Sequence, residues 1–245
     1  MPFTLSHTVA VIPLFRWRRL DPLALVIGSM APDFGYFAHR FHMAGKAHSL
    51  EGSLTTALPL ALLVWCVCRS CAGLLTRPLP DRWDLEARHF LGGRPWERWT
   101  PLLVLVSLLL GIWSHNLLDS FTHETGWVVR RVGVLHDPWP VYHVLQQIGS
   151  VAGMLVLAAI YWRWSGRSLR RALPWDRKVV LLLVVMLASA LLAALPSWNF
   201  AERFKGGYEQ FRAFRFRWIV TSMAFATCGY LILALWLQLA AWRSR

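Results

Sequence analysis

The stretch "IWSHNLLDSFTHETG", residues 112–126, closes an apolar run with the composition of a lipid-embedded helix, yet it carries His115, Asp119 and His123 at intervals of four. On a helix, positions four apart lie one above the other. His115 and Asp119 therefore present an imidazole and a carboxylate on one face, able to ligate one ion. His123 stands two turns beyond His115, ~12 Å further along the axis. A regular helix cannot bring all three to one ion. Either the Asp119 carboxylate bridges two ions, or the chain leaves the helix near Thr122 and Gly126 and His123 bends back. An Asp in a spanning segment costs ~2.5–3.5 kcal/mol on insertion scales, which makes it a functional suspect.

The rest of the chain agrees with a lipid environment. Of 245 residues, 56% are hydrophobic, and the mean hydropathy is +0.41. Soluble domains rarely have this balance. The 26 basic residues outnumber 13 acidic ones. These bases cluster between apolar runs, where they suit anionic head groups and topology signals rather than nucleic acid. The 15 Trp suit interfacial belts. Cys66, Cys68 and Cys71 form a C-x-C-x2-C pattern without a fourth local ligand, so they read as small membrane residues. The N-terminus lacks a basic start and a cleavage site, and is expected to stay on the protein.

Five runs are long enough to cross a bilayer: about 54–71, 101–120, 148–164, 179–196 and 218–241. Pro59 predicts a kink in the first. Residues 8–15 and 22–31 are too short to cross and are expected as short helices or a re-entrant hairpin. Residues 197–217 mix Phe with Arg and Lys around Gly206-Gly207, and are expected to lie in the head-group layer. The fold class is all-α: an integral membrane bundle of about five transmembrane helices plus short N-terminal helices. It forms a single domain over 1–245, with 1–53 as a site-forming segment and 54–241 as the five-span bundle. The density of Lys and Arg in 165–178 places that connection in the cytoplasm. Whatever the orientation, two spans separate 1–53 from 121–147, so both regions reach the same membrane face.

The N-terminal segment supplies partners for His115 and Asp119. "TLSHTVA" holds His7, "SMAPDFGYF" holds Asp33 after Pro32, and "KAHSLEGS" holds His48 and Glu51 before the first span. Asp33 alone reads as a helix N-cap, and His7 alone as a satisfied histidine. Together they give the order His, Asp, His, then His-x-x-x-Asp on one face. Such N/O ligands suit zinc, manganese or iron rather than calcium or copper.

These motifs also carry a resemblance. "MPFTLSHTVAVIPL", "LALVIGSMAPDFGYF", "AHSLEG", "SHNLLDSFTHETGW" and "VYHVLQQIGSVAGM" resemble the prokaryotic membrane family called domain of unknown function 4184, most strongly over residues 1–165. The resemblance implies a multi-pass protein of a prokaryotic inner membrane. A looser likeness extends to membrane-bound metal-dependent hydrolases and to zinc-dependent phospholipase C. It implies that Asp33, His48, His115 and Asp119 surround one ion. His7 and Asp119 then contribute to a second, with Asp119 bridging. His123 and His143 are candidates for a third set, but Gln147 stands where a Glu would be wanted, so one or two ions are expected.

The expected function is a membrane-embedded hydrolase dependent on a divalent metal, with zinc the leading candidate, acting on lipid-like phosphoesters. His7, Asp33, His48, His115, Asp119 and His123 are the candidate metal ligands. Asp33, Asp119 and Glu51 are the candidate catalytic groups, with Glu124 a further possible base and Arg130 and Arg131 possible phosphate contacts. The expected partners are membrane lipids and a lipid-like substrate, not nucleic acid. The alternative is a non-enzymatic protein with a structural metal site, or a small metal or ion transporter. No Ser/His/Asp motif, Walker loop or dinucleotide-binding glycine pattern is present.

Overall fold

Every regular element among the described residues is helical. This is how a backbone satisfies its polar groups where water is excluded. The computed structural model describes residues 4–93, 97–135, 139–165 and 177–243. The long helices are α1 (Pro22–Met30), α2 (Phe41–Ala47), α3 (Leu50–Ser70), α4 (Asp81–Gly92), α5 (Thr100–Thr122), α6 (Val141–Ser165), α7 (Arg177–Ala201) and α8 (Gly207–Arg243). A 3₁₀ helix, Thr4–Arg16, precedes them. α3, α5, α6, α7 and α8 are each long and apolar enough to cross a membrane, and the chain is a membrane protein. Residues 166–176, the centre of the basic connection expected in the cytoplasm, lie outside the described residues.

The chain divides into two compact units. The first comprises residues 1–35, 40–67 and 93–172. In it α1 packs along α5, and the Thr4–Arg16 helix packs on α1, α5 and α6. Val11, Leu20 and Leu25 form one buried apolar cluster in it, with Leu14, Phe15 and Leu110 against them. Asp21 caps α1 by accepting from the Ala24 N–H at 2.7 Å. The Asp21 N–H in turn donates to Ser107 Oγ at 2.9 Å, which ties the start of α1 to α5. α6 exposes Val144, Ile148, Val151 and Leu155, a helical stripe that water would not tolerate and that lipid covers.

The second unit comprises residues 36–39, 68–92 and 173–245, and is built on the antiparallel pairing of α7 and α8. Trp218 Nε1 donates to the Ala190 carbonyl at 2.7 Å across that pair. Lys178 Nζ reaches Asp81 Oδ1 at 2.8 Å, which fixes the start of α7 to α4.

Several boundaries differ from those expected. α6 begins at Val141 rather than near 148, because its polar first turns are helical although hydropathy does not mark them. Residues 197–217 do not form a separate segment in the head-group layer. α7 continues through Pro196 to Ala201, a turn reverses the chain, and α8 starts at Gly207. Gly206, at φ +104°, makes that reversal, a backbone state that side chains resist. The 37 residues of α8 span ~55 Å, beyond the ~30 Å of hydrocarbon, so its polar first turns extend past the apolar layer. At Pro59 the irregularity takes the form of a π turn at Ser53–Ala57, closed by Leu58 N–H to Ser53 O. The missing N–H of proline leaves the regular i→i−4 pattern no way to continue there.

Candidate metal centre

The first unit brings together side chains from four separate stretches. The 3₁₀ helix buries His7. Asp33 follows α1 in a turn that Pro32 opens. His48 caps the C-terminus of α2, and α5 supplies His115 and Asp119. α1 and α5 can touch backbone to backbone because Gly28 and Gly111 face the contact, with Gly111 against Leu25 and Ser29. That approach places the Ser29 carbonyl 2.8 Å from His115 Nδ1. Nδ1–H then donates to it, which leaves the Nε2 lone pair directed into the cluster. His48 has the same design, with Nδ1 2.7 Å from the Ala44 carbonyl. Backbone carbonyls commonly orient metal-bound histidines in this way.

Around the two Nε2 atoms the spacings are nearly uniform. His48 Nε2 lies 3.3 Å from His115 Nε2. From His48 Nε2, Asp33 Oδ1 is 3.5 Å away and Asp119 Oδ2 is 3.2 Å away. From His115 Nε2, the same oxygens are at 3.7 and 3.4 Å. A tetrahedral ion with bonds of about 2.0–2.1 Å sets its ligands about 3.3–3.4 Å apart. Charge-assisted hydrogen bonds would instead draw N and O to about 2.7–2.9 Å. The five spacings match the edges of a coordination tetrahedron better than a hydrogen-bonded ring.

The other Asp119 oxygen faces a second set. Oδ1 is 3.4 Å from His7 Nε2 and 3.4 Å from His123 Nδ1. His123 ends α5 with extended backbone, φ −122° and ψ 140°. The chain leaves the helix there, and the ring bends back towards Asp119 Oδ1. The His7 ring stacks on His115 with centroids 3.9 Å apart. His7 Nδ1 and Nε2, Asp33 Oδ1 and Asp119 Oδ1 are buried and make no hydrogen bond. Such groups are costly unless something else satisfies them. The donor set therefore fits a divalent cation. Burial and the neighbouring His115 lower the His7 pKa to about 4. Burial lowers His48 too, but the neighbouring Asp119 and Asp33 carboxylates outweigh it and raise the group to about 10. Burial pushes Asp33 up, while the neighbouring His115 and His48 together hold it below its ordinary value.

Glu51 is not brought into the cluster. Ser49 caps the next turn by accepting from the Gly52 N–H. The Glu51 carboxylate is thereby turned outward, where it pairs with Lys46 at 3.2 Å. Glu124, Arg130, His143 and Gln147 are exposed, and Arg131 stacks on Trp127. The residue of α6 that faces His123 is Gln146, with Nε2 3.5 Å from His123 Nε2, one position before the Gln147 that the resemblance singled out. Thr4 is the other contributor that the motifs did not show. Its Oγ1 donates to Asp33 Oδ2 at 2.7 Å, which leaves Oδ1 for the cluster. Thr4→Val is expected to lower zinc affinity by about 10–100-fold, the usual loss on removing an outer partner of a ligand. Competition with a zinc chelator checks this, and an unchanged affinity would remove Thr4 from the site.

No curated protein and no solved structure matches the chain. The family model described as "Domain of unknown function (DUF4184)" matches residues 1–237, and the chain belongs to that family.

Proposed function

We propose that the protein is a membrane-embedded hydrolase dependent on a divalent metal, zinc foremost, that cleaves lipid-like phosphoesters in a prokaryotic inner membrane. The observation that carries the reading is the convergence of His7, Asp33, His48, His115 and Asp119, with buried, unbonded oxygen and nitrogen atoms and with His123 Nδ1 3.4 Å from Asp119. The two faces of Asp119 divide the cluster into lobes. Asp33, His48, His115 and Asp119 supply four protein ligands, the closed set of a structural ion. His7, Asp119 and His123 supply three, the number that leaves a position open for substrate or water. A divalent ion held by these residues would supply Lewis-acid chemistry, lowering the pKa of a water and polarising an ester oxygen.

The chain's own residues then have distinct tasks. Asp119 holds both lobes in register. Ser29 and Ala44 orient His115 and His48 through their carbonyls. His7 and Asp33 lie in the buried interior, while the His123 side chain is 29% exposed. An ester arriving in the plane of the bilayer would meet the cluster at His123.

The test is hydrolysis of phosphodiester lipids by detergent-purified, zinc-loaded protein, with metal content measured on the same sample. Turnover is expected in the wild type and absent in Asp119→Ala. Glu51→Gln is expected to leave turnover unchanged, because Glu51 faces solvent beside Lys46. Wild-type protein with neither metal nor turnover would overturn the proposal. The closed four-ligand lobe favours a second reading, a structural staple. Tightly held metal with no turnover on any ester would support that instead.

A further inference from the structure

Of the ligands in the four-residue lobe, His48 has the least support from packing. Its side chain is 22% exposed, where His115 is at 0% and Asp33 at 2%. It also stands in a junction rather than inside a long helix, between α2, which ends at Ala47, and α3, which begins at Leu50. The junction first closes on itself. Ser49 Oγ accepts from the Gly52 N–H at 2.9 Å and donates to the Lys46 carbonyl at 2.8 Å. Ser53 Oγ donates to the Ser49 carbonyl at 2.8 Å. Gly52 permits the closure, since a Cβ there would collide with the Lys46 carbonyl oxygen. These bonds set the shape of the turn. None of them ties it to α5, where His115 and Asp119 are fixed.

Asn116 makes that tie. It follows His115 in α5 and points about 100° further round the helix. Its Nδ2 donates to Ser53 Oγ at 3.0 Å and approaches the Ala47 carbonyl at 3.4 Å. The two acceptors flank His48, one residue before it and five after. Ser53 is fully buried, and its hydroxyl accepts from Asn116 while donating to Ser49. A continuous chain of hydrogen bonds therefore runs from α5 into the turn that carries the imidazole. The amide also carries a penalty, because Asn116 Oδ1 is buried and makes no hydrogen bond. An apolar side chain would avoid that penalty. What the amide supplies in exchange is its pair of donors.

The supports of His48 are thus divided. The Ala44 carbonyl, 2.7 Å from Nδ1, sets the rotation of the ring, and Asn116 sets the place of the backbone that bears it. We infer that Asn116 is the positioning residue for His48, holding the junction of α2 and α3 against α5 so that Nε2 meets His115, Asp33 and Asp119. The inference rests on the metal reading of that lobe and is independent of whether the centre turns over a substrate.

The experiment loads the full-length protein, in detergent, with cobalt(II), which takes the same imidazole and carboxylate ligands as zinc. A four-coordinate cobalt ion absorbs visible light more strongly than a five- or six-coordinate one, so the spectrum reports a lost ligand. His48→Ala supplies the reference for that loss. Asn116→Ala is expected to move the spectrum towards the His48→Ala reference and to weaken cobalt binding by about 10–100-fold, the usual cost of losing an outer partner of a ligand. Ser53→Ala is expected to act in the same direction, and Asn116→Ala to cost less in the Ser53→Ala background than in wild type, because the two groups act through one bond. Ser107→Ala, which frees the Asp21 N–H at the start of α1, is expected to lower thermal stability and leave the spectrum unchanged. A merely structural Asn116 would behave in that way, so a lower melting temperature with wild-type spectrum and affinity in Asn116→Ala overturns the inference. Should Asn116→Ala fail to fold, Ser53→Ala decides, and wild-type spectrum and affinity there overturn it equally. Wild-type protein that takes up no cobalt overturns the metal reading and this inference together. The expected spectra without turnover on any ester would support the positioning role and remove only the hydrolase.

Discussion

Asp119→Ala is expected to strip the protein of metal. Its two carboxylate oxygens face different partners, Oδ2 towards His48 and His115 and Oδ1 towards His7 and His123. One substitution therefore removes a ligand from both lobes. Loss of an outer partner costs about 10–100-fold in affinity, and loss of a bridging ligand is expected to exceed that, at more than about 100-fold at each lobe. Stoichiometry separates the lobes. Wild-type protein is expected to hold two ions, His123→Ala one, and Asp119→Ala none, by elemental analysis after gel filtration. Asp119→Asn, which keeps the volume and loses the charge, is expected to behave like Ala rather than wild type. The stability change follows the metal. A site filled at 1,000 times its dissociation constant contributes ~4 kcal/mol to folding, so added zinc is expected to raise the melting temperature of wild type and not of Asp119→Ala. Equal metal in wild type and Asp119→Ala would mean that the ion sits elsewhere, and the two-lobed centre would be abandoned.

How much of this the sequence revealed depended on whether the signal was local. His115 and Asp119 are legible because both lie in one helix at a fixed spacing, against an apolar background that makes them conspicuous. Asp33 and His48 are legible only as an order of residues delivered to one face. Their meeting depends on α1 and α5 lying in contact, which pattern alone does not determine. Glu51 illustrates the opposite case, since it is close to His48 in sequence and yet directed away by the Ser49 cap. Gln146 had a signal that was available. The lipid-facing stripe Val144, Ile148, Val151 and Leu155 sets the phase of α6, and that phase turns Tyr142 and Gln146 inward and Gln147 outward. Thr4 and Ser29 had none, because a short hydroxyl or a backbone carbonyl leaves no mark in composition. Helix ends were misjudged for a related reason. Hydropathy reports where lipid begins, whereas α6 and α8 continue as helix into the polar layer.

Gly111→Ala is expected to disrupt the fold and the site together, although alanine is a better helix former than glycine. A Cβ at Gly111 would stand 2.5 Å from the Leu25 carbonyl oxygen and 2.6 Å from the Ser29 nitrogen. Both are backbone atoms of α1, so no rotamer change can relieve the contact. The helices must separate, and the Ser29 carbonyl moves away from His115 Nδ1. The expected cost is about 3 kcal/mol or more, at the upper end for overpacking because the obstacle is main chain. Freed from that carbonyl, His115 loses its fixed ring orientation, and zinc affinity is expected to fall by about 10–100-fold even in the protein that remains folded. Gly149→Ala in α6 is the matching control. Nothing lies within 4 Å of a Cβ there, so the change is expected to leave metal binding intact and to stabilise by at most about 1 kcal/mol. Thermal unfolding in detergent and zinc competition on both variants decide the matter. If Gly111→Ala melts and binds zinc as wild type does, then the close crossing of α1 and α5 does not position His115, and the link from packing to the metal centre fails.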